Sequence, residues 1–309
     1  MRVTVPSFAK LNLDLRVLAK RPDHFHELRT VFQTISLSDT LEIDFEPSKR
    51  TSISINSSID IADNLVIRAA KLIMGAFKIR AAVNFRLIKR IPMGAGLGGG
   101  SSNAAAVLLA LPFLAGKPVS TAKLVHLAET LGSDVPFFLL GGTAVAMGRG
   151  TELYPLPDLK PHHALVVSTG VHVSTSHAYQ SLNRSITEDV TNALTSPATS
   201  PILREFQAIT WALESSPFGT LPLKNDFESA VFKTHPELSA VVRKLRKLGA
   251  QPALMTGSGS AIFGIFHTAA HARTAASAFP PGQATPVRFL TRTQYQSRWR
   301  KALSPSRDL

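Results

Sequence analysis

The 309-residue sequence contains no cysteine. This absence excludes disulfide bonds, thiolate metal sites and a cysteine nucleophile, and it fits a reducing compartment. A long apolar run is missing as well, because the longest candidate, residues 104–115, is shorter than the ~20 residues that cross a bilayer. The N-terminal residues alternate apolar and polar types and lack the apolar segment of a signal peptide. We therefore expect a cytoplasmic protein that does not interact with membranes.

Acidic residues are scarce beside basic ones: 21 Asp and Glu face 34 Lys and Arg, which leaves a net charge of +13. Such a charge allows binding of nucleic acids, anionic surfaces or polyanionic small molecules. Aromatic residues make up only 7% and the cations are scattered, so a nucleic-acid-binding protein is the weaker interpretation and we expect no nucleic-acid partner. The densest basic stretch ends the chain, where residues 297–309 are predicted to be a basic tail without fixed structure.

The pattern of apolar residues predicts a mixed α/β (α+β) protein with two domains. Three prolines, Pro155, Pro157 and Pro161, indicate a linker, so residues 1–150 and 151–296 are predicted as the two domains. A Ser/Thr-rich stretch at 185–200 is predicted to be a surface loop. Predicted strands cover residues 3–17, 40–45, 52–56, 82–91, 143–147, 164–168, 254–255, 262–266 and 287–290, and predicted helices cover 65–77, 101–115, 121–131, 177–182, 202–213, 227–232 and 238–248.

The most specific motif is the segment PMGAGLGGGSSNAAA, residues 92–106, which lies between a predicted strand and a predicted helix. Its five glycines allow positive φ angles or a close approach of another group to the backbone. The N-terminus of the following helix offers free N–H donors and a positive dipole end, which suit a phosphate group. Ser101 and Ser102 add hydroxyls that can donate to phosphate or coordinate Mg²⁺. A phosphate-binding loop is therefore favoured over a plain flexible connection.

Two widespread phosphate-binding motifs do not fit this segment. A P-loop requires a lysine after its last glycine, and none follows here. Gly94, Gly96 and Gly99 do satisfy the G-x-G-x-x-G spacing of a dinucleotide-binding fold, which also needs an acidic residue ~20 positions later to hold the ribose. The next acidic residue is Glu129, and the dinucleotide interpretation is rejected for that reason.

The loop resembles that of the GHMP small-molecule kinases, whose form is P-x-x-x-G-L-G-[SG]-S-[SG]-A. The residues at matching places are Pro92, Gly96, Leu97, Gly98 and Ser101. Further segments are similar to motifs of the same family and follow in the same order, namely residues 6–33, 131–153 and 254–266. Residues 6–33 resemble the first motif of those family members that phosphorylate a cytidine diphosphate-linked methylerythritol in the non-mevalonate isoprenoid pathway.

This resemblance implies a two-domain GHMP kinase fold, with the active site in the cleft between an ATP-binding N-terminal domain and a C-terminal domain. It implies ATP, Mg²⁺ and a cytidine diphosphate substrate as ligands, with the γ-phosphoryl group passing to the 2-hydroxyl of that substrate. A GHMP kinase for homoserine, mevalonate or a sugar is the alternative, and residues 22–28 argue against it. Neither the residues nor the resemblance decides between a monomer and a homodimer.

Two charged residues are the catalytic candidates. By spacing alone, Asp134 is equally well interpreted as the N-cap of a short helix. For Lys10, the spacing favours an ordinary solvent-facing lysine of a strand. The resemblance implies instead that Asp134 accepts the proton of the substrate hydroxyl, while Lys10 faces the cleft and keeps Asp134 ionised. Asn12 lies two residues further along the strand, on the same face, and is expected in the same site.

The resemblance assigns the cytidine end of the substrate to Phe25, whose ring would stack on the pyrimidine, and to His26, whose imidazole would hydrogen-bond the pyrimidine edge. Family members usually carry Tyr at the position of Phe25 and Gly at the position of His24. A metal-binding pair of His24 and His26 is a weaker alternative. The remaining substrate-binding residues implied by the resemblance are Thr175, Tyr179, Gly257, Ser258 and Gly259.

The ATP site implied by the resemblance comprises the glycine loop and two residues outside it. Asn64 and Lys89 would line the adenine pocket, with a helix cap and a solvated strand end as their alternative interpretations. ATP brings Mg²⁺, whose protein ligands the sequence leaves open. The remaining ATP-binding residues are Pro92, Gly94, Gly96, Leu97, Gly98, Gly99, Gly100, Ser101 and Ser102.

Overall fold

The computed structural model of the chain describes residues 1–182, 194 and 199–303. Most of the stretch 185–200, predicted to be a surface loop, lies outside these residues. In the described part of the chain, no helix combines the length and the apolar character needed to cross a membrane. The elements form two sheets with helices packed against them, so the predicted mixed α/β class is confirmed.

The first sheet is built around a long antiparallel hairpin. Its two strands pair along most of their length, with register shifts that follow Phe8, Asn12 and Val17. The second strand is long enough to pair with two further strands, one along each half. The sheet contains six strands, β1 (Arg2–Lys20), β2 (His26–Pro47), β3 (Ser52–Ser57), β4 (Ala81–Ile88), β5 (Thr143–Gly148) and β6 (Glu152–Pro155).

The core of the first half lies between this sheet and a layer of helices. The central helix consists mainly of alanine and leucine and is buried around most of its circumference, as expected when neighbours pack on every side. It contacts the preceding and following helices as well as β1. The helices of this layer are α1 (Leu65–Ala76), α2 (Gly99–Leu114), α3 (Thr121–Leu131) and α4 (Phe137–Leu140).

The second sheet has four antiparallel strands in the order β10–β7–β9–β8. Its two central strands are almost continuously buried, because helices cover them. The strands are β7 (His163–Val167), β8 (Ala253–Met255), β9 (Ile262–Phe266) and β10 (Ala284–Arg288). The helices of this half include α5 (Thr175–Ser181), α6 (Ser200–Ala212), α7 (Glu228–Thr234), α8 (Pro236–Lys247) and α9 (Ala269–Ala276).

The last described helix, α10 (Arg292–Leu303), returns to the core of the first half. Tyr295 and Trp299, four residues apart on one face, are buried there, and the Tyr295 hydroxyl donates a 2.5 Å hydrogen bond to the Phe138 carbonyl oxygen. The prediction of an unstructured tail is therefore wrong for residues 297–303, because the aromatic face of this helix and not its basic residues decides its place. Residues 304–309 lie outside the described part.

Both strands of the long hairpin also contact the second half of the chain. Leu15 forms a parallel bridge with Asn225, and Ile35 forms an antiparallel bridge with Phe289. β6 follows residue 150 and still pairs with β5 of the first sheet. The division of the chain into domains at residue 150 stays a prediction.

Candidate active site

A cavity of about 970 Å³ lies where the hairpin, the glycine loop and the second half of the chain meet. It has a polar end, which we define by Lys10, Asn12, Gly96 and Asp134, and an aromatic end, which we define by Phe25, His26, Arg149 and Tyr179. The residues predicted from the sequence that line this cavity are Lys10, Asn12, Phe25, His26, Gly94, Gly96, Asp134, Thr175, Tyr179, Gly257, Ser258 and Gly259.

Lys10 is the buried cation of the polar end. Its Nζ donates hydrogen bonds to Asn12 Oδ1 at 2.7 Å and to the Gly96 carbonyl oxygen at 2.9 Å. Nζ also lies 3.3 Å from Asp134 Oδ2, and the Lys10 side chain is only 3% exposed. The solvent-facing interpretation of this lysine is therefore wrong. A buried ammonium surrounded by three oxygens attracts negative charge to this point of the cavity.

The local course of β1 explains why Lys10 and Asn12 reach the cavity together. The two residues alternate with buried apolar neighbours, so their side chains share one face of the strand. A register shift lies on each side of this pair, between Phe8 and Lys10 and between Asn12 and Asp14. Irregularities of this kind re-aim side chains and are common beside functional sites.

Asp134 lies in the turn between α3 and α4, with its side chain 34% exposed. The N-cap of α4 is Pro136, and no side chain makes a capping hydrogen bond there. The helix-cap interpretation of Asp134 is therefore wrong. Its carboxylate instead faces both the cavity and the Lys10 ammonium, which is the position a proton acceptor for a bound hydroxyl requires.

Two glycine-rich loops touch each other through their backbones at the polar end. Gly96 has φ +75°, and a Cβ added there would lie 2.1 Å from the Thr256 carbonyl oxygen. A Cβ added at Gly257 would lie 2.9 Å from the Gly96 Cα. Since real Cβ atoms do not approach other atoms so closely, only glycine lets the two loops meet. This contact joins the TGSGS turn to the loop of residues 92–98, whose Gly96 carbonyl oxygen accepts the hydrogen bond from Lys10.

Thr256 is a site residue that sequence reasoning missed. It is fully buried, and its Oγ1 accepts a 2.9 Å hydrogen bond from the Asn12 backbone N–H. The same hydroxyl contacts Asn12 Oδ1 and the Gly96 carbonyl oxygen. Thr256 therefore ties β1 to both glycine-rich loops. The TGSGS motif contains this residue, but the sequence does not show that its hydrogen-bond partner is Asn12, which lies 244 positions away in the chain.

The glycine loop ends at Gly98, and α2 begins at the next residue. A second, smaller cavity of about 260 Å³ lies over this loop and the first turn of the helix. Ser102 is 1% exposed, and its Oγ has no hydrogen-bond partner in the described part of the chain. The predicted residues that line this cavity are Lys89, Pro92, Gly94, Gly96, Leu97, Gly98, Gly99, Gly100 and Ser101.

A buried carboxylate that the sequence did not reveal holds both ends of this loop. Asp39 Oδ1 accepts hydrogen bonds from the backbone N–H groups of Arg90 at 2.7 Å and Ile91 at 2.8 Å, just before the loop. Its Oδ2 accepts from Asn103 Nδ2 at 3.1 Å, on the helix that follows the loop. Oδ2 also forms an ion pair with Lys89, whose side chain is 5% exposed, so Lys89 is not a solvated strand end.

Asn64 is placed differently from the other predicted ATP residues. Its side-chain oxygen accepts a 3.0 Å hydrogen bond from the Val66 N–H and caps α1. It is not among the described residues that line either cavity. The structure thus assigns Asn64 the helix-cap role that the sequence left open, and its role in binding a nucleotide stays a prediction.

The aromatic end contains two stacked pairs. The rings of His26 and Tyr179 are 4.5 Å apart and nearly parallel, at 25°. The Phe25 ring is covered on one face by the guanidinium of Arg149, at 3.5 Å. Burial, and secondarily the Asp134 carboxylate, raises the pKa of the Tyr179 hydroxyl above its usual range, so this ring is a neutral stacking surface. Sequence reasoning did not single out Arg149.

The remaining predicted residues support these contacts. Thr175 Oγ1 and Ser258 Oγ are 2.9 Å apart and join α5 to the TGSGS turn. His24 adopts φ +65°, a conformation that glycine adopts without strain, which accounts for the glycine usual at this position. No group of three or more His, Asp or Glu residues among those described could hold a metal ion. A metal site at the pair of His24 and His26 stays the weaker alternative.

Comparison with known proteins identifies the same family in both halves of the chain. Residues 64–142 match the GHMP kinases N terminal domain, and residues 207–281 match the GHMP kinases C terminal domain. A 4-diphosphocytidyl-2-C-methyl-D-erythritol kinase of Solibacter usitatus is 49% identical over 96% of this chain and 92% of its own length. An enzyme of the same name from Pelotomaculum thermopropionicum is 39% identical over 90% of this chain and 94% of its own length.

Solved structures give the same result. A crystal structure of a 4-(cytidine 5'-diphospho)-2C-methyl-D-erythritol kinase is 38% identical and has a TM-score of 0.74, covering 94% of this chain and 99% of that one. A homoserine kinase from Cytophaga hutchinsonii has a TM-score of 0.68 at 19% identity, covering 94% of this chain and 95% of its own. The second likeness extends to the fold alone. The two-domain kinase fold expected from the loop motif is confirmed.

Proposed function

The chain belongs to the 4-diphosphocytidyl-2-C-methyl-D-erythritol kinases of the GHMP family, and from this membership we propose that it transfers the γ-phosphoryl group of ATP to the 2-hydroxyl of that cytidyl compound. The observation that carries the chemistry is the contact of the buried Lys10 ammonium with Asp134 at 3.3 Å. This pair lies at the polar end of the cavity, beside the glycine loop. Phosphoryl transfer needs a positioned hydroxyl and charge stabilisation more than covalent help from the protein.

Asp134 is the proposed proton acceptor. The substrate oxygen forms a bond to the γ-phosphorus, the bond from that phosphorus to the bridging oxygen of ADP breaks, and the hydroxyl proton passes to the Asp134 carboxylate. Lys10 places its ammonium 3.3 Å from Asp134 Oδ2 and so holds the carboxylate in place beside the substrate hydroxyl. Asn12 fixes the ammonium through its 2.7 Å hydrogen bond.

ATP is the phosphoryl donor, and the loop of residues 92–98 with the start of α2 is its proposed phosphate site. Backbone N–H groups at a helix N-terminus suit phosphate oxygens, and the cavity over the loop provides the space. Asp39 is a positioning residue in this proposal, since it binds the chain on both sides of the loop. Lys89 acts through its ion pair with Asp39 and lines the same cavity.

Mg²⁺ is proposed to accompany ATP, and the residues at the loop fit it. The candidate protein ligands are the hydroxyl of Ser101, which lines the cavity over the loop, and the unpartnered, buried hydroxyl of Ser102 beside it. Mg²⁺ at such sites takes one or two protein oxygens beside phosphates and waters. When bound, the ion neutralises charge on the transferring phosphates.

The cytidine end of the substrate is proposed to lie at the aromatic end of the cavity. Phe25 offers a ring face and His26 an imidazole for the pyrimidine, while Tyr179 packs against His26. Thr175, Ser258 and the backbone of Gly257 and Gly259 line the path toward the polar end. A cytoplasmic location and the absence of nucleic-acid binding stay predictions, and a gel shift at moderate salt tests the second.

A kinase assay with one donor and several acceptors tests the function. The purified chain is incubated with Mg²⁺-ATP and, separately, with 4-diphosphocytidyl-2-C-methyl-D-erythritol, homoserine, mevalonate and galactose, and ADP release is measured. We expect turnover of the cytidyl compound with a kcat/KM at least about a hundredfold above the others. Comparable turnover of another acceptor, with none of the cytidyl compound, would overturn the proposal.

A further inference from the structure

Arg149 directly follows β5 and faces the tip of the long hairpin, since the neighbouring Gly148 pairs with Leu28. Its guanidinium carbon is 3.5 Å from the centroid of the Phe25 ring, well inside the ~6 Å range of a cation–π contact. Both side chains line the large cavity. Arg149 Nε is buried and has no hydrogen-bond acceptor in the described part of the chain, so the ring face is the partner that the structure provides.

The contact with Arg149 is the ring contact that the structure gives Phe25. The residue is 46% exposed, and its side chain carries no hydrogen-bonding group that could hold the ring. It also sits at a hairpin tip, where a phenyl ring without neighbours can occupy several rotamers. With the guanidinium on one face, the ring keeps one orientation and offers its opposite face to a ligand.

We propose that Arg149 is a positioning residue for pyrimidine recognition, holding the Phe25 ring so that its other face meets the base of a cytidine nucleotide. The identity of the base rests on the proposed function, whereas the contact between the two side chains does not. The rival role for Arg149 is attraction of the substrate diphosphate by its positive charge. If Arg149 positions the ring, its loss weakens the binding of cytidine and of cytidine 5'-diphosphate alike. If Arg149 acts by its charge, its loss weakens only the binding of the diphosphate.

Binding measurements without turnover separate these roles. The variants are Arg149→Met, Arg149→Lys and, as a control that removes a distant exposed arginine of α6, Arg204→Met. Affinity for cytidine 5'-diphosphate is measured by calorimetry and affinity for cytidine by ligand-observed NMR. We expect Arg149→Met to lower the affinity for both ligands by the same factor, about five- to tenfold. Arg149→Lys should restore part of the loss, and Arg204→Met should change neither affinity.

A second background tests whether the effect passes through the ring. In Phe25→Leu, the further change Arg149→Met should not weaken binding again, because two residues acting as one unit do not add. In the kinase assay, Arg149→Met should raise KM for the cytidyl substrate by the factor seen in binding. The kcat and the KM for ATP should change by less than about twofold.

Several results would overturn the proposal: unchanged affinity in Arg149→Met, a loss confined to cytidine 5'-diphosphate, or an undiminished loss in the Phe25→Leu background. If Arg149→Met does not fold, Arg149→Gln replaces it under the same criteria. A wild-type chain that binds cytidine nucleotides but phosphorylates none refutes the proposed function and leaves the binding test of Arg149 intact. A wild-type chain that does not bind cytidine refutes both.

Discussion

The polar and aromatic ends of the cavity are held by different kinds of interaction. At the polar end, Lys10 has three oxygen partners and two backbones meet at Gly96 and Gly257. At the aromatic end, the side chains are held mainly by ring contacts at the tip of a hairpin. Directional, buried contacts fix atoms to the accuracy that a reaction needs, whereas stacking tolerates small shifts. Changes at the polar end should therefore affect turnover, and changes at the aromatic end should affect substrate affinity.

The largest expected effect tests the polar end directly. Asp134→Asn keeps the shape of the side chain but removes the proton acceptor, so kcat should fall by about 10²–10⁴-fold while ATP binding and the unfolding midpoint stay unchanged. Steady-state kinetics and ATP titration measure this. Glu129→Gln, which removes an exposed carboxylate of α3, serves as the control and should have normal turnover. Near-normal turnover of Asp134→Asn would remove this residue as the base.

The contact between the two glycine-rich loops can be broken by one methyl group. Gly96→Ala places a Cβ 2.1 Å from the Thr256 carbonyl oxygen, and we expect a loss of about 3 kcal/mol in the free energy of unfolding together with reduced kcat. Gly116→Ala is the matched control, because its φ is also positive, at +61°, but nothing lies within 4 Å of the added Cβ. It should lose only about 1 kcal/mol. Equal losses in chemical denaturation would show that no clash exists.

Glu228 supports the polar end from behind, where its Oε1 accepts a 2.7 Å hydrogen bond from the Met255 N–H just before the TGSGS turn. Burial raises the pKa of Glu228 to about 7. Because the pKa is higher in the folded state than in the unfolded state, the protonated carboxyl of Glu228 favours folding. This stabilising contribution is fully present below pH ~4.5 and is lost as the pH rises through ~7. We expect the free energy of unfolding to fall by up to about 3 kcal/mol by pH 8 on this account.

Denaturation of Glu228→Gln checks the pH effect. The variant should lose this component of the pH dependence between pH 5 and 8, whereas Glu214→Gln, at an exposed carboxylate, should keep the wild-type profile. A Glu228→Gln profile that parallels the wild type would contradict the assignment to this carboxyl.

Asp39 tests whether the loop at the boundary of the polar end behaves as a separate unit. Asp39→Asn retains the size of the side chain but weakens its ion pair with Lys89 and its hydrogen bonds to the chain before the loop. We expect KM for ATP to rise about tenfold, with KM for the cytidyl substrate changed less than about twofold. Equal changes in both KM values would indicate a general structural effect.

The smallest expected effect belongs to the aromatic end. His26→Ala removes the ring that stacks on Tyr179 at 4.5 Å, and KM for the cytidyl substrate should rise about five- to tenfold with little change in KM for ATP. His126→Ala, at an exposed histidine of α3, controls for loss of an imidazole. If His26→Ala lowered kcat as strongly as Asp134→Asn, the contrast between the two ends would not hold.

Local patterns in the sequence predicted part of the site. Five glycines before an alanine-rich helix predicted the loop, and the strand alternation placed Lys10 and Asn12 on one face. Thr256, Asp39 and Arg149 escaped because their partners lie far away in the chain, and nothing in their own neighbourhoods distinguishes them from ordinary polar residues. The first half of β2 was also missed, since it is buried on both faces and shows no alternation.

The return of α10 to the first core has a consequence for how the protein is made. Tyr295 and Trp299 complete a core that also contains Phe8 and Phe138. During synthesis from the N-terminus, a ribosome has to deliver nearly the whole described chain before this apolar surface is covered. A nascent chain stalled before residue 292 would expose it, and we expect such truncated products to aggregate or to bind chaperones.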